Sequence, residues 1–199
     1  METIIAASLN RNKIKELEAI TKEFGMRVIS RSEAGVADIE ILEDGKTFEE
    51  NSLIKARGIM KLCGQITIAD DSGVEVEALS GRPGVRSARY AGDECDDKKN
   101  RDKLLEELLG VPAEKRTARF VSVISMAYPD GHEITARGES EGHITFEERG
   151  ENGFGYDSLF VPAGYEKTYA ELAPEEKNKI SHRANALRLL KDKLAEQNV

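Results

Sequence analysis

Four short runs of the sequence bring together side chains that could handle an anion, a metal ion and a water molecule. Ser8-Leu9-Asn10-Arg11-Asn12-Lys13 stands where an apolar run hands over to a helical pattern. A hydroxyl, an amide, a lysine one turn in and the free N–H groups of a helix start together suit a phosphate. The glycines and the Lys-Ser/Thr pair of a Walker loop are missing, and an ordinary N-cap with a solvated lysine would use the same residues. Asp70-Asp71-Ser72-Gly73 follows the hydrophobic run 66–69, at what the pattern predicts to be the carboxyl end of a strand, where ligands gather in open α/β sheets. Two adjacent carboxylates there could hold magnesium and orient a water; a turn rich in Asp, Ser and Gly is the plainer alternative. Phe154-Gly155-Tyr156-Asp157 is an aromatic-bearing glycine loop that could pack on a flat base or simply bury its rings. Last come Lys177 and Ser181-His182-Arg183. With Ser181 as an N-cap, His182 and Arg183 put cations in a first helical turn, against the dipole, a local rule broken without local gain.

The elements that must position these residues follow from periodicity. Thr3 to Ala7 reads as a buried strand, Ile14, Leu17, Ile20 and Phe24 as the face of a helix closed by Gly25, and Met26 to Ile29 as a second strand. This β-α-β start favours an α/β sheet. Residues 35–45 are acidic and aperiodic, a loop. Thr47 with Glu50 forms a capping box for a helix that places Leu53, Ala56, Met60 and Cys63 on one face and ends at Gly64, with Cys63 in the core. Ile66 to Ala69 is a buried strand, Asp96 to Leu109 a helix, and Arg119 to Tyr128 with Glu133 to Arg137 a hairpin around Asp130-Gly131. Gly142 to Glu147 reads as a further strand, 149–157 as an ordered loop, and a helix from about Ser181 buries Ala184, Leu187, Leu190 and Leu194. The whole is a mixed α/β chain with a substantial antiparallel part, undivided by any linker, repeat or low-complexity tract.

Composition narrows the partners. The 199 residues carry 37 acidic against 29 basic side chains, a formal net charge of −8. A chain this acidic is repelled by nucleic acid and by anionic membranes, so neither is expected as a partner. An anionic ligand requires its lysines and arginines gathered at one place, or a metal ion between. Cys63 and Cys95 lack metal-ligand spacing and are too few for a disulfide scaffold. No apolar run is long enough to cross a bilayer, and the first ten residues lack the basic region of a signal peptide, so a soluble cytoplasmic protein is expected.

Taken in order, SLNRNK, FEENSLIKA, ADDSG with EVEALSGRPGVRSARYAG, GFGYDSLF and EEKNKISHR resemble the inosine/xanthosine triphosphate pyrophosphatase family over nearly the full chain. The resemblance implies a mixed α/β fold with a long central sheet flanked by helices, two lobes and an active-site cleft between them. It implies a homodimer, a Mg²⁺ requirement, and cleavage of non-standard purine nucleoside triphosphates to monophosphate and pyrophosphate. Position by position, Ser8, Asn10 and Lys13 match the phosphate-binding opening. Glu43 and Asp71 match the metal-associated carboxylates, with Asp71 also the proton acceptor, flanked by Asp70 and Ser72. Lys55 matches a phosphate contact, and Phe154, Gly155, Tyr156, Asp157, Lys177, His182 and Arg183 match the nucleotide-contacting residues. Leu9 departs from the family, many members of which have glycine there. Two other functions are compatible: a pyrophosphatase for thymidine, uridine or modified pyrimidine triphosphates, and a non-catalytic nucleotide-binding module. Intact Glu43, Asp70 and Asp71 argue against the latter.

Overall fold

The computed structural model describes residues 3–23, 25–36, 39 and 41–197. Phe24, expected on the first helix face, lies outside them. The strands are β1 (Thr3–Ala6), β2 (Arg27–Ser30), β3 (Thr67–Val76), β4 (Thr117–Ala127), β5 (Glu133–Ile144) and β6 (Phe160–Pro162). The helices are α1 (Arg11–Glu23), α2 (Phe48–Cys63), α3 (Asp97–Glu107), α4 (Pro174–Ile180) and α5 (His182–Gln197). The strands make one mixed sheet in the order β2-β1-β3-β4-β5-β6. β1 runs parallel to β2, with Ile4 opposite Val28, and to β3, with Ile5 opposite Thr67; β5 and β6 are antiparallel. Among the described residues no helix is long and apolar enough to cross a membrane.

The chain divides into two compact units, one of Met1–Asp71, Ser122–Gly138 and Arg183–Val199, the other of Ser72–Val121 and Glu139–His182. In the first, alternation along the strands serves both faces of the sheet. Ile4, Ala6, Ile68, Ile124 and Met126 pack against α1 (Ile14, Leu17, Ile20) and α5 (Ala184, Leu187, Leu190). Ile5, Ala7, Ala69 and Ala127 pack against Ala56 and Ile59 of α2. The capping box of Thr47 and Glu50 opens α2, and Gly64, in the left-handed region at φ 63°, closes it. The buried stripe of α2 differs from the expected one: Asn51, Ser52, Ala56 and Ile59 are buried, while Leu53 and Met60 are half-exposed. Asn51 and Ser52 are polar, so a periodicity of apolar residues does not register them.

In the second unit one face of its strands is covered. Val74, Val76, Phe120, Ile144 and Phe160 pack with Leu104 and Leu108 of the α3 region and with Tyr156, Tyr169 and Leu172. The opposite face is polar, with Arg119 bonded to Glu75 and Glu139. Buried Arg116 clamps this unit, donating to the carbonyls of Ile144, Leu108, Val111 and Thr145.

Asp70 and Asp71 do not end a strand: β3 continues through them to Val76. The Ser-Gly pair after them serves a close approach and not a turn, since a Cβ on Gly73 would lie 2.4 Å from Ser87 Oγ, which accepts the Val74 N–H. Gly142 to Ile144 is the end of β5 and not a separate strand. Before α5 stands a separate helix, α4, started by Pro174 and ended at Ser181, where the backbone turns extended.

Candidate active site

In the first unit, Asn10 is the cap of α1, its Oδ1 accepting the N–H groups of Asn12 and Lys13 at 3.0 and 3.2 Å. Ser8 Oγ accepts the Asn10 N–H at 3.1 Å. This cap fixes the turn on which Lys13 stands, and Lys13 Nζ lies 3.1 Å from Asp70 Oδ2. Arg183 Nη2 donates to the same oxygen at 3.0 Å, and Ser122 Oγ to Asp70 Oδ1 at 2.5 Å. Glu16, three residues beyond Lys13 on α1, holds Arg183 Nη1. Burial opposes the charge on Asp70, but Arg183 and Lys13 outweigh it and hold the carboxyl well below the usual carboxylate range. Burial likewise opposes the Arg183 charge, and Asp70 and Glu16 reverse the effect, so its proton is held more tightly than usual. The Arg183 guanidinium in the first turn of α5 is therefore answered by carboxylates from α1 and β3.

Beside this network, Lys55 of α2 ties two carboxylates together, with Nζ 2.8 Å from Asp71 Oδ1 and 2.9 Å from Glu43 Oε2. Burial pushes the Lys55 ammonium down, but Asp71 and Glu43 more than restore it, leaving its pKa raised. Asp71 goes the other way from Asp70. Burial raises its pKa, and Lys55 and Lys13 offset only part of that rise. A carboxylate of raised basicity is what a proton acceptor for water requires. Its Oδ2 is buried and has no hydrogen-bond partner among the described residues. Such an orphaned anionic oxygen, with Glu43 on the same ammonium, fits Mg²⁺, which takes hard oxygen ligands. No group of three or more His, Cys, Asp or Glu side chains among the described residues could enclose a metal unaided. Two carboxylates completed by phosphate oxygens and water is the arrangement Mg²⁺ commonly adopts.

In the second unit, the loop 149–157 folds about its own aspartate. Asp157 Oδ2 accepts the Phe154 N–H at 3.0 Å and the Lys177 ammonium at 2.6 Å, both charged side chains being buried. A Cβ on Gly153, at φ +78°, would lie 2.0 Å from that oxygen, so glycine is obligatory. Lys177 Nζ also sits 5.2 Å from the centre of the Phe154 ring. Tyr156 is buried, its hydroxyl donating to the Ser87 carbonyl at 2.8 Å; Gly155 N donates to Asp97. His182 is buried and stacked on Phe120 at 4.6 Å, with Tyr169 beyond. Ser72, next in the chain to Asp71, belongs to this unit and is half-buried.

The Ham1 family model matches residues 4–193. The chain belongs to the Ham1 family. It is 49% identical over 200 residues to the dITP/XTP pyrophosphatase of Clostridium perfringens, covering 98% of each chain. To the dITP/XTP pyrophosphatase of Haemophilus influenzae it is 50% identical over 195 residues, covering 97% of this chain and 99% of that one. Among solved structures, the Staphylococcus aureus Ham1 protein superposes with a TM-score of 0.85 at 42% identity, covering 98% of this chain and all of that one. The departure of this Ham1 family member at Leu9 is harmless to the backbone. Leu9 is not among the residues at positive φ, so no glycine is needed, and its side chain is 56% exposed.

Glu16, Ser122 and Phe120 belong to these networks without standing in any of the four sequence runs. Glu16 had a signal, since it lies on the Lys13 face of α1 at spacing i, i+3. Ser122 is a lone hydroxyl in the buried run 120–127, and a buried polar group needs a partner. Phe120 is ordinary core by pattern, and nothing in the sequence shows that it carries His182.

Proposed function

We propose that this Ham1 family chain hydrolyses non-standard purine nucleoside triphosphates (ITP, dITP and XTP) to the monophosphate and pyrophosphate, with Mg²⁺. The observation that carries the reading is Asp71, a buried carboxylate of raised basicity with one orphaned oxygen, sharing Lys55 with Glu43. The names of the relatives, dITP/XTP pyrophosphatases, support the substrate class. Glu43 and Asp71 would hold Mg²⁺, which when bound neutralises phosphate charge and polarises the phosphorus. Lys13 and Lys55 bind phosphate oxygens beside the capped start of α1, where Ser8 and Asn10 orient the turn. Asp71 takes the proton of the water that attacks the α-phosphorus. The bond from that phosphorus to the bridging oxygen breaks, and pyrophosphate departs with the electron pair. No covalent nucleophile is used.

For the nucleoside we propose Ser72, the loop Phe154 to Asp157, Lys177, His182 and Arg183. Inosine and xanthosine carry an acceptor oxygen at C6 that meets a guanidinium or imidazole donor, whereas adenine carries an amino group, leaving donor against donor. We also propose a homodimer, to be read as twice the 22.0 kDa subunit mass by light scattering.

The deciding experiment measures pyrophosphate and inorganic phosphate released from ITP, with Mg²⁺ and with excess chelator. Pyrophosphate release that stops in chelator is expected. Undiminished release would remove the metal, inorganic phosphate as first product would move the cleaved bond, and faster hydrolysis of dUTP or dTTP would move the substrate class.

A further inference from the structure

Glu43 reaches Lys55 from an aperiodic segment, residues 31–46, whose described residues form no helix or strand. A metal ligand on such a segment must be fixed by contacts from outside it. Buried Arg31 donates through Nη2 to the Ile39 carbonyl at 2.9 Å. Ile41 then packs onto α2 at Gly58, so closely that a Cβ there would lie 2.8 Å from Ile41 Cδ1. On the other side of Glu43, the Gly45 N–H donates to Asn51 Oδ1 at 2.9 Å. A Cβ on Gly45 would lie 2.6 Å from that same oxygen, so the backbone is seated directly on the amide.

Asn51 is 3% exposed and stands in the first turns of α2. The helix does not need it as a cap. Thr47 and Glu50 already form the box, and the Glu50 carboxylate accepts the N–H groups of Lys46 and Thr47. A buried amide costs stability unless bonded, and its bond goes to the Glu43 segment. Lys55 follows Asn51 at i, i+4, so one face of α2 fixes both the segment and the ammonium that Glu43 meets. We propose that Asn51 is a positioning residue which, through the Gly45 N–H, aims the Glu43 carboxylate at Lys55 and the metal. This rests on the proposed reading of Glu43 as a metal ligand.

The test compares Asn51→Leu, which keeps volume and removes the acceptor, with Asn51→Asp, which keeps an accepting oxygen. In metal-free protein, hydrogen exchange of the Gly45 amide is expected to accelerate about tenfold or more in Asn51→Leu and to recover in Asn51→Asp. The Mg²⁺ concentration for half-maximal pyrophosphate release is expected to rise about tenfold in Asn51→Leu, with KM for ITP at saturating Mg²⁺ within about twofold of wild type. In a Glu43→Gln background the leucine substitution should shift the Mg²⁺ midpoint no further. Should Asn51→Leu not fold, Asn51→Ala serves for the same measurements. The proposal is overturned if exchange and the Mg²⁺ midpoint stay as in wild type, if kcat falls at every Mg²⁺ concentration with the midpoint unmoved, or if the aspartate fails to rescue. If Glu43→Gln alone leaves the Mg²⁺ midpoint unchanged, the reading of Glu43 fails instead, whatever the exchange shows.

Discussion

Replacing Asp71 by asparagine keeps the volume of the side chain and removes its charge, so activity and stability should separate. Removing a general base costs roughly 10²- to 10⁴-fold in turnover, equivalent to about 2.7–5.5 kcal/mol of barrier. The fold should notice far less, because two effects oppose each other. Lys55 loses one carboxylate but keeps Glu43 at 2.9 Å. Against this, the buried Oδ2, an anionic oxygen with no hydrogen-bond partner among the described residues, gives way to a neutral amide group that costs less to bury. Each effect is of order 1–2 kcal/mol, so the net is within about 1 kcal/mol, or roughly 4 °C in Tm for a chain of this size. The assay is kcat for ITP at saturating Mg²⁺ alongside calorimetric unfolding of the same preparation. Turnover within a few-fold of wild type would refute the proton-acceptor role. A lost turnover accompanied by a Tm drop above about 10 °C would show instead that Asp71 holds the fold together.

Arg183→Ala leaves buried Asp70 and half-buried Glu16 without their guanidinium, so Tm should fall roughly 6–20 °C, from about 3–5 kcal/mol. In the folded fraction kcat/KM should fall more for ITP than for ATP, and an equal loss for both would move base recognition elsewhere. Lys177→Met removes the ammonium from Asp157 and from the Phe154 ring, so KM for ITP should rise about tenfold with kcat within about threefold; an unchanged KM would detach this loop from substrate binding. Arg116→Met withdraws donors from buried carbonyls, and unfolding should shift down by about 2–4 kcal/mol with kcat/KM unchanged. An unmoved Tm would mean that those carbonyls find other donors.

The sequence was informative where a local rule carried the structure. The capping box at Thr47, the left-handed glycines at 25 and 64, and the turn at Asp130-Gly131 all specify backbone over a few residues. The buried face of α5 followed from apolar spacing at Ala184, Leu187 and Leu190, while Leu194 is only half-buried. The misplacement of Asp70 and Asp71 came from the opposite case. Charged residues and glycine normally stop a strand, and only contacts distant in sequence, Arg183 and Lys13 for Asp70 and Lys55 for Asp71, allow two carboxylates mid-strand. Likewise the first turn of α5 violates the dipole rule for a reason that lies 167 residues away, at Glu16. β6, three residues long, has no pattern to read. Sequence patterns therefore singled out the residues proposed for the site, while their pairings are a property of the fold.

Those pairings also change how charge at the site must be understood. The lysines invoked to neutralise phosphate are already engaged, Lys13 by Asp70, Lys55 by Asp71 and Glu43, and Lys177 by Asp157. Within the first unit, the cations Lys13, Lys55 and Arg183 face the carboxylates Glu16, Glu43, Asp70 and Asp71, which leaves the constellation one charge negative. In a chain of net charge −8, such a site repels a bare triphosphate. A single divalent cation on Glu43 and Asp71 changes the sign of the constellation. Lys55 would then be drawn from its carboxylates toward phosphate, since the metal takes over the charge it had been balancing. On the proposed reading these ion pairs are a reason for a metal that is independent of how the metal acts on phosphorus. It further implies that metal and nucleotide strengthen each other's binding by the same factor, as linkage requires.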